Sequence, residues 1–268
     1  MGVIKAGDMH GQVPAKGAKQ ARHTSSPNMT WHGGPIMPNS AVYPIYWGTT
    51  WSAGDSKVSG LDTFYTGFSG SNYAKTSDEY TGGGGQVGPN NTVNPAKFDA
   101  SPAPGHAPSV STILAEVAKE YPTPDAGGNG YYPVYVDTPR GGAQYCAWHS
   151  YGTVNGKSYV VAFFFNLDGD AGCDPQDSTT GHSEGLAALA NVSAHELSEA
   201  RTDKDAQGGW YDASGAENGD KCAWTFNVAS VKLGSTSWKL QGEWSNAAYN
   251  AGTGYPNRSG QKGCLDGH

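Results

Sequence analysis

Apolar side chains recur at helical spacing in the stretch 109–121. They stand at Val110, Ile113, Leu114 and Val117. A serine opens this stretch and Pro122 follows it, and these residue types are typical of helix starts and stops. The pattern predicts a helix over 109–121 whose apolar side packs on a sheet.

Three other stretches have the residue types of β-strands: 41–47 (AVYPIYW), 131–137 (YYPVYVD) and 158–166 (SYVVAFFFN). The third is apolar at nearly every position, which is typical of a central strand buried on both faces. Pro44 cannot donate a ladder hydrogen bond, so it places the first strand at a sheet edge. Shorter strands are expected at 230–233 and 238–244.

The longest helical pattern covers residues 181–202. At 100° per residue, one side of this helix carries mainly apolar side chains. They belong to Leu186, Leu189, Ala190, Ser193, Leu197 and Ala200. His195 and Glu199 fall on the opposite side. An ordinary surface helix with a solvated polar face would show the same pattern.

The rest of the chain is rich in loop-forming residues. Residues 1–28 have no periodicity and predict a flexible leader or pro-segment, whereas residues 70–108 predict a long surface loop. The chain has 39 glycines and 16 prolines among 268 residues, and only 15% of its residues are charged. We therefore predict one loop-rich α+β domain over 29–268, with a mixed sheet, a backing helix at 109–121 and an active-site helix at 181–202.

Charge and hydropathy exclude two classes of partner. The net charge of -7 provides no basic surface for nucleic acid. The longest apolar run, residues 159–165, is too short to span a membrane.

Four cysteines indicate an oxidising compartment. They lie at Cys146, Cys173, Cys222 and Cys264, without a C-x-x-C pair. Two disulfides are the simplest arrangement, and adjacency along the chain favours Cys146 with Cys173 and Cys222 with Cys264, although four cysteines allow three connectivities. No signal peptide is visible at Met1, but the cysteines and the composition predict a secreted, extracellular protein.

The strongest chemical motif is H-E-x-x-E at His195, Glu196 and Glu199. Residues at i and i+4 stack one turn apart on a helix, so His195 and Glu199 can share one ion. The spacing is that of the zincin motif H-E-x-x-H, whose glutamate acts as general base. Here a carboxylate replaces the second histidine, which makes the site more tolerant of harder cations than a two-histidine zinc site. Glu196 is the candidate base.

A further ligand is expected from the acidic residues that follow the helix. Asp203 and Asp205 lie near its end, and Glu217 and Asp220 lie in the segment ENGDKC. Glu217 is the first choice because the preceding Gly-Gly-Trp-Tyr turn can fold back over the helix. Asp203 is the second choice, being two turns from His195.

A second acidic cluster follows the predicted central strand. It contains Asp168, Asp170, Asp174 and Asp177 in a glycine-rich turn. Oxygen ligands at alternating positions suit Ca²⁺, although the full EF-hand loop is missing. The alternative is an acidic loop stiffened by Cys173.

The remaining histidines and hydroxyls offer weaker candidates. His32, His149 and His182 are read as hydrogen-bonded structural histidines, although His149 and His182 lie near the proposed centre in sequence. A Ser-His-Asp site is disfavoured because the chain contains no G-x-S-x-G elbow.

Several segments resemble the exordium-like, phosphate-induced protein family: MTWHGGPIM with VYPIYWG, YCAWHSYG, and VSAHELSEARTD with WYDASGAENGDKCAW. The resemblance spans most of residues 29–224. It implies an extracellular or cell-wall protein, and bacterial secreted relatives carry the same helix followed by an acidic E-x-x-D-x-C segment. The family's polar positions fall on His195, Glu196, Glu199, Asp203, Glu217 and Asp220, and its cysteine falls on Cys222.

Two functions are compatible with these features. The first is a secreted zinc peptidase, in which His195, Glu199 and Glu217 hold Zn²⁺ and Glu196 deprotonates water to cleave a peptide or protein substrate. The second is a non-catalytic extracellular protein with a structural metal. In that case exposed members of the eight Trp and fifteen Tyr residues would bind cell-wall glycans.

Overall fold

The computed structural model describes residues 2–5, 26–206 and 208–268. Its helices are α1 (Ser56–Phe68), α2 (Val110–Glu120), α3 (Glu184–Thr202), α4 (Asn218–Cys222) and α5 (Asn246–Ala251), with a 3-10 turn at Ala74–Ser77. Strands of the main sheet are β1 (Gly2–Lys5), β3 (Ser40–Val42), β4 (Ile45–Trp47), β7 (Asn91–Val93), β8 (Lys97–Asp99), β9 (Gly130–Pro139), β10 (Tyr145–Val154) and β11 (Lys157–Asn166). Shorter pairings involve β2 (Thr30–Trp31), β5 (Thr81–Gly82), β6 (Gly85–Gln86), β12 (Trp210–Tyr211), β13 (Val231–Leu233), β14 (Thr236–Trp238), β15 (Glu243–Trp244), β16 (Tyr255–Pro256) and β17 (Lys262–Leu265).

The main sheet is mixed, as predicted for an α+β fold. Its order is β1-β10-β11-β9-β3-β7, with β4 and β8 continuing the rows of β3 and β7. The strands from β11 to β7 and β8 run parallel, whereas β10 and β1 run antiparallel to their neighbours. The stretch Tyr159–Phe165 of β11 is buried, which confirms the predicted central strand.

Two predictions about the parallel half are wrong. Pro44 does not mark an edge strand. It separates β3 from β4, and each of these strands has a partner on both sides. A break between two short strands accommodates proline as well as an edge does. The stretch 70–108 is also not one long loop, because β7 and β8 join the sheet there.

Two further helices pack against this sheet. Helix α2 confirms the prediction for 109–121, and Ser109 caps it by accepting a hydrogen bond from the Thr112 amide at 3.2 Å. Helix α1 was not predicted. Its buried side chains recur at helical spacing behind the cap Asp55, so the signal was present in the sequence. They are Val58, Leu61, Phe64, Tyr65 and Phe68.

Helix α3 lies at the centre of the molecule and confirms the helix predicted at 181–202. Every residue from Gly185 to Thr202 is buried. The helix contacts β10 and β11 of the sheet on one side, and α1, α4 and β14 elsewhere around its circumference. The polar side of the helix is therefore as buried as its apolar side. This excludes the interpretation of α3 as a surface helix with a solvated polar face.

The first described residues of the chain also belong to the sheet. Residues Gly2 to Lys5 form β1 and pair with β10 from His149 to Tyr145, and the Ile4 side chain is fully buried. The prediction of a flexible leader over 1–28 is wrong for these four residues. Residues 6–25 of that prediction lie outside the described residues.

Both predicted disulfides are present. Cys146 at the start of β10 is bonded to Cys173, and Cys222 at the end of α4 is bonded to Cys264 on β17. In the part of the chain that the structure describes, no helix combines the length and apolar character needed to cross a bilayer.

Candidate metal centre

The centre of the site is the second half of α3. His195 and Glu199 are both fully buried, and His195 Nε2 lies 3.0 Å from Glu199 Oε1. Despite that distance, the Nε2 atom makes no hydrogen bond. Two ligand atoms bound tetrahedrally to one Zn²⁺ at about 2.1 Å lie roughly 3.4 Å apart. At 3.0 Å the two atoms are somewhat closer than this and are near enough to share one cation.

Strand β10 supplies a residue that sequence reasoning read as structural, His149. Its Nδ1 lies 3.1 Å from Glu196 Oε2 and 3.4 Å from Glu199 Oε2, and its Nε2 lies 3.7 Å from Glu217 Oε2. The ring is fully buried. His149 therefore connects the carboxylates of α3 with the carboxylate that precedes α4.

The short helix α4 brings Glu217 and Asp220 to α3. The two residues form a capping box, and the Asp220 amide donates to Glu199 Oε1 at 3.0 Å. Asp220 Oδ1 lies 3.9 Å from His195 Nε2. The disulfide of Cys222 anchors the end of α4, so the turn expected to fold back over the helix is covalently fixed.

Glycine at position 219 permits this close approach. A Cβ atom there would lie 2.7 Å from His195 Nδ1 and 3.0 Å from Glu199 Oε1. The first distance is shorter than real Cβ contacts, so any side chain would displace the ligands or α4.

The arrangement fits a cation because it leaves several buried atoms of neighbouring side chains without hydrogen bonds. These atoms are His149 Nε2, His195 Nε2, Glu199 Oε2 and Glu217 Oε2. Buried polar atoms are normally paired, and buried carboxylates are normally neutralised by a positive charge. Nitrogen and oxygen donors of this kind suit Zn²⁺ or a similar divalent ion. Two overlapping groups have atoms close enough to hold an ion, His149 with Glu196 and Glu199, and His195 with Glu199 and Asp220.

Burial in the cluster changes the pKa values of its carboxyl groups and histidines. Burial raises the pKa of Glu196 to about 8. Burial and neighbouring acids also raise the pKa of Glu199 and of Glu217 well above the usual range. Burial lowers the pKa of His195 to about 4, whereas at His149 the charges of Glu217 and Glu196 outweigh burial and raise the pKa. A divalent cation would favour the ionised forms of these carboxyl groups.

Gln241 orients the His195 ring from behind. Its Nε2 lies 2.9 Å from His195 Nδ1 and donates to the Gly219 carbonyl at 3.1 Å, while its Oε1 accepts from the Trp224 amide at 3.1 Å. In this orientation His195 Nδ1 accepts a hydrogen bond from Gln241 Nε2. A cation on Nε2 needs a proton on Nδ1, so binding requires the Gln241 amide to turn its oxygen toward the ring. Sequence reasoning missed Gln241, and no motif marks it.

The other acidic residues near the end of α3 have local roles. Asp203 Oδ1 accepts from the amides of Gly208 and Gly209 at 3.2 and 2.8 Å. Asp205 Oδ1 accepts from the Gly208 amide at 2.9 Å. Both carboxylates shape the loop after the helix, and the ligand groups described above contain neither.

The structure does not bring the four carboxylates of the candidate calcium loop together. Asp168 pairs with Lys57 at 2.5 Å, and Asp170 pairs with Arg140 through two hydrogen bonds of 2.6 and 2.8 Å. Asp174 and Asp177 accept from backbone amides of their own turns. Among the described residues, no group of three ligating side chains includes any of these aspartates. The cluster therefore corresponds to the acidic loop that was its alternative.

The two remaining histidines singled out in the sequence pack on aromatic rings away from the centre. His32 stacks on Tyr211 at 3.5 Å, and His182 stacks on Trp238 at 4.1 Å. Of the three, only His149 joins the cluster. The available signal was its place in YCAWHSYG, one of the segments that carry the family resemblance.

Comparison of the chain with known protein families, with curated proteins and with solved structures finds no match. The resemblance to the exordium-like, phosphate-induced family stays a prediction that rests on the motifs alone.

Proposed function

We propose that this protein is a metal-dependent hydrolase that cleaves peptide bonds, with a divalent cation, Zn²⁺ first, held between α3, α4 and β10. The observation that carries the proposal is the set of buried, unpaired donor atoms around Glu199. Such a cluster is costly to fold without a cation and is useful once the cation is bound.

His195 and Glu199 are the ligands that α3 would supply, and Asp220 would complete the set from α4, whereas Glu217 belongs to no group of three ligating side chains among the described residues. His149 approaches from β10, with Nδ1 3.4 Å from Glu199 Oε2 and Nε2 3.7 Å from Glu217 Oε2. When bound, the ion supplies a Lewis acid that polarises a carbonyl group and lowers the pKa of water toward neutrality.

Glu196 is the residue suited to move the proton. It lies between the ligands His195 and Glu199 along the helix, and its pKa of about 8 matches a group that exchanges protons near neutral pH. His149 Nδ1 lies 3.1 Å from Glu196 Oε2 and orients the carboxylate. The same carboxyl group can take a proton from water and deliver it to a leaving amine.

The two disulfides support placing this activity outside the cell, because such bonds persist in oxidising compartments. The alternative is a non-catalytic extracellular or cell-wall protein with a structural metal. Aromatic side chains that could contact glycans are few. The exposed large ones among the described residues are Trp31, Phe98 and Tyr151, on three different strands.

The metal is tested first by elemental analysis of purified protein after dialysis against Zn²⁺. We expect about one equivalent in the wild type and a loss of at least about tenfold in Glu199→Gln, which keeps the shape but removes a ligand charge. Glu243→Gln is the matched control, because Glu243 is also fully buried but accepts from Tyr73 OH at 2.8 Å and belongs to neither ligand group. Equal zinc content in all three proteins would refute the metal centre.

The chemistry is tested by digestion of casein and of quenched peptide libraries. Glu196→Gln is expected to keep the zinc and to lower kcat/KM by about 10² to 10⁴. A protein that binds zinc without any Glu196-dependent cleavage would favour the structural-metal alternative.

A further inference from the structure

Strand β1 lies directly against the candidate metal centre. It pairs antiparallel with β10, the strand that carries His149, and it contacts both α3 and α4. Its Ile4 side chain is fully buried. A four-residue stretch of backbone thus covers the side of the cluster formed by β10.

The backbone amide of Ile4 points toward the candidate metal centre. The Ile4 amide lies 3.4 Å from Glu196 Oε1 and donates to that carboxylate. Because successive amides of a regular strand point in opposite directions, the amide of Val3 faces β10 while that of Ile4 faces Glu196. The amide nitrogen between Val3 and Ile4 therefore lies beside the group proposed to protonate a leaving amine.

Without β1, the outer side of β10 would be an open sheet edge. Such an edge presents unpaired amides and carbonyls in a row, and an extended peptide can add to it as a further strand. Main-chain hydrogen bonds then provide affinity, and pockets for alternate side chains provide selectivity. The buried position of Ile4 corresponds to one such pocket, and it fits a large aliphatic side chain.

We propose that the edge of β10 is the binding site for an extended peptide strand with an aliphatic residue at the Ile4 position, and that residues 2–5 occupy this site as an internal competitor. The substrate class rests on the proposed peptidase function, whereas the peptide-binding edge does not. Residues 2–5 then restrict access to the site until they leave the edge or are removed.

The test measures binding of a fluorescent synthetic peptide with the sequence of residues 2–7, GVIKAG, by anisotropy in the presence of EDTA. The full chain is compared with Ile4→Asp, which places a charge at the buried Ile4 position, and with Ile4→Leu as the matched apolar control. A tethered strand competes at an effective concentration on the order of 1 mM. We therefore expect Ile4→Asp to bind the peptide at least about tenfold more tightly than the wild type and Ile4→Leu. A scrambled peptide should not bind.

A second variant covers the case in which Ile4→Asp does not fold. Val3→Pro removes an amide that faces β10 and so weakens β1 without adding charge to the pocket. Circular dichroism and intact disulfides establish the fold of each variant. Equal peptide affinity in all folded proteins, or no binding to any of them, would overturn the inference. Loss of the native fold in both variants would also overturn it, because β1 would then be a structural strand.

The two proposals fail separately. Peptide binding by Ile4→Asp without zinc-dependent cleavage would refute the proposed peptidase function and support the proposed peptide-binding edge. Zinc-dependent cleavage by a protein that does not bind the β1 peptide in any variant would refute only the proposed peptide-binding edge.

Discussion

Metal-free protein should lose stability as the pH rises from 6.5 to 9, because the buried carboxyl groups of the cluster are forced to ionise. Glu196 has a pKa of about 8 in the folded protein against 4.5 ordinarily. Since the folded value is the higher one, its contribution to stability is complete below about pH 4.5 and is lost as the pH rises through 8. The difference between the two pKa values corresponds to about 5 kcal/mol, of which about 2 kcal/mol disappears between pH 6.5 and 9.

The other groups of the cluster do not cancel this effect. The pKa of Glu199, of Glu217 and of His149 is raised, so each acts in the same direction as Glu196. The pKa of His195 is lowered to about 4 from 6.5, so its contribution is lost as the pH falls and is nearly constant above 6.5.

The assay is urea unfolding in EDTA, with both disulfides intact, at pH 6.5 and at pH 9. We expect the free energy of unfolding to fall by at least about 2 kcal/mol, and Glu196→Gln to reduce that fall by a similar amount. Glu184→Gln, at an exposed position on the same helix, is the control. Saturating Zn²⁺ at 1,000 times its Kd should add about 4 kcal/mol. If the metal-free protein were equally stable at both pH values, or if Glu196→Gln behaved as wild type, the electrostatic reasoning would be refuted.

Three further outcomes follow from contacts in and around the centre. Gly219→Ala should reduce bound zinc by at least about tenfold, because its Cβ would lie 2.7 Å from His195 Nδ1. The control Gly142→Ala meets no atom within 4 Å and should retain the zinc. Equal zinc content in the two variants would contradict the proposed approach of α4 to α3. Replacing Cys222 and Cys264 together by serine opens a link of 42 residues and should lower the free energy of unfolding by about 4 kcal/mol, with weaker zinc binding measured in parallel by calorimetry. Arg201→Met should lower the free energy of unfolding in urea by about 3 kcal/mol, because the buried guanidinium donates to the carbonyls of Ala74 and Gly88. Lys232→Met, at an exposed position on β13, is the control. An effect of Arg201→Met no larger than that of the control would show that these hydrogen bonds contribute little.

The sequence by itself determined the elements whose signal is local. Apolar spacing and a serine cap located α2, and an unbroken apolar run located β11. Cysteine adjacency led to the disulfide pairs that the structure contains. The spacing of His195 and Glu199 placed both side chains on one side of α3, because helix geometry depends only on the backbone repeat.

Only the tertiary structure decided what surrounds α3. Periodicity describes which residues share a side of a helix, but it does not say whether the other side meets water or protein. Here β10 and α4 cover that side, so His195 and Glu199 are buried in the company of His149 and Glu217. His149 lies 46 residues before His195, and Glu217 lies 18 residues after Glu199. No local pattern encodes separations of this size. Strand β1 is the extreme case, because a short segment without periodicity is placed by its ladder with β10 and its contacts with α3 and α4.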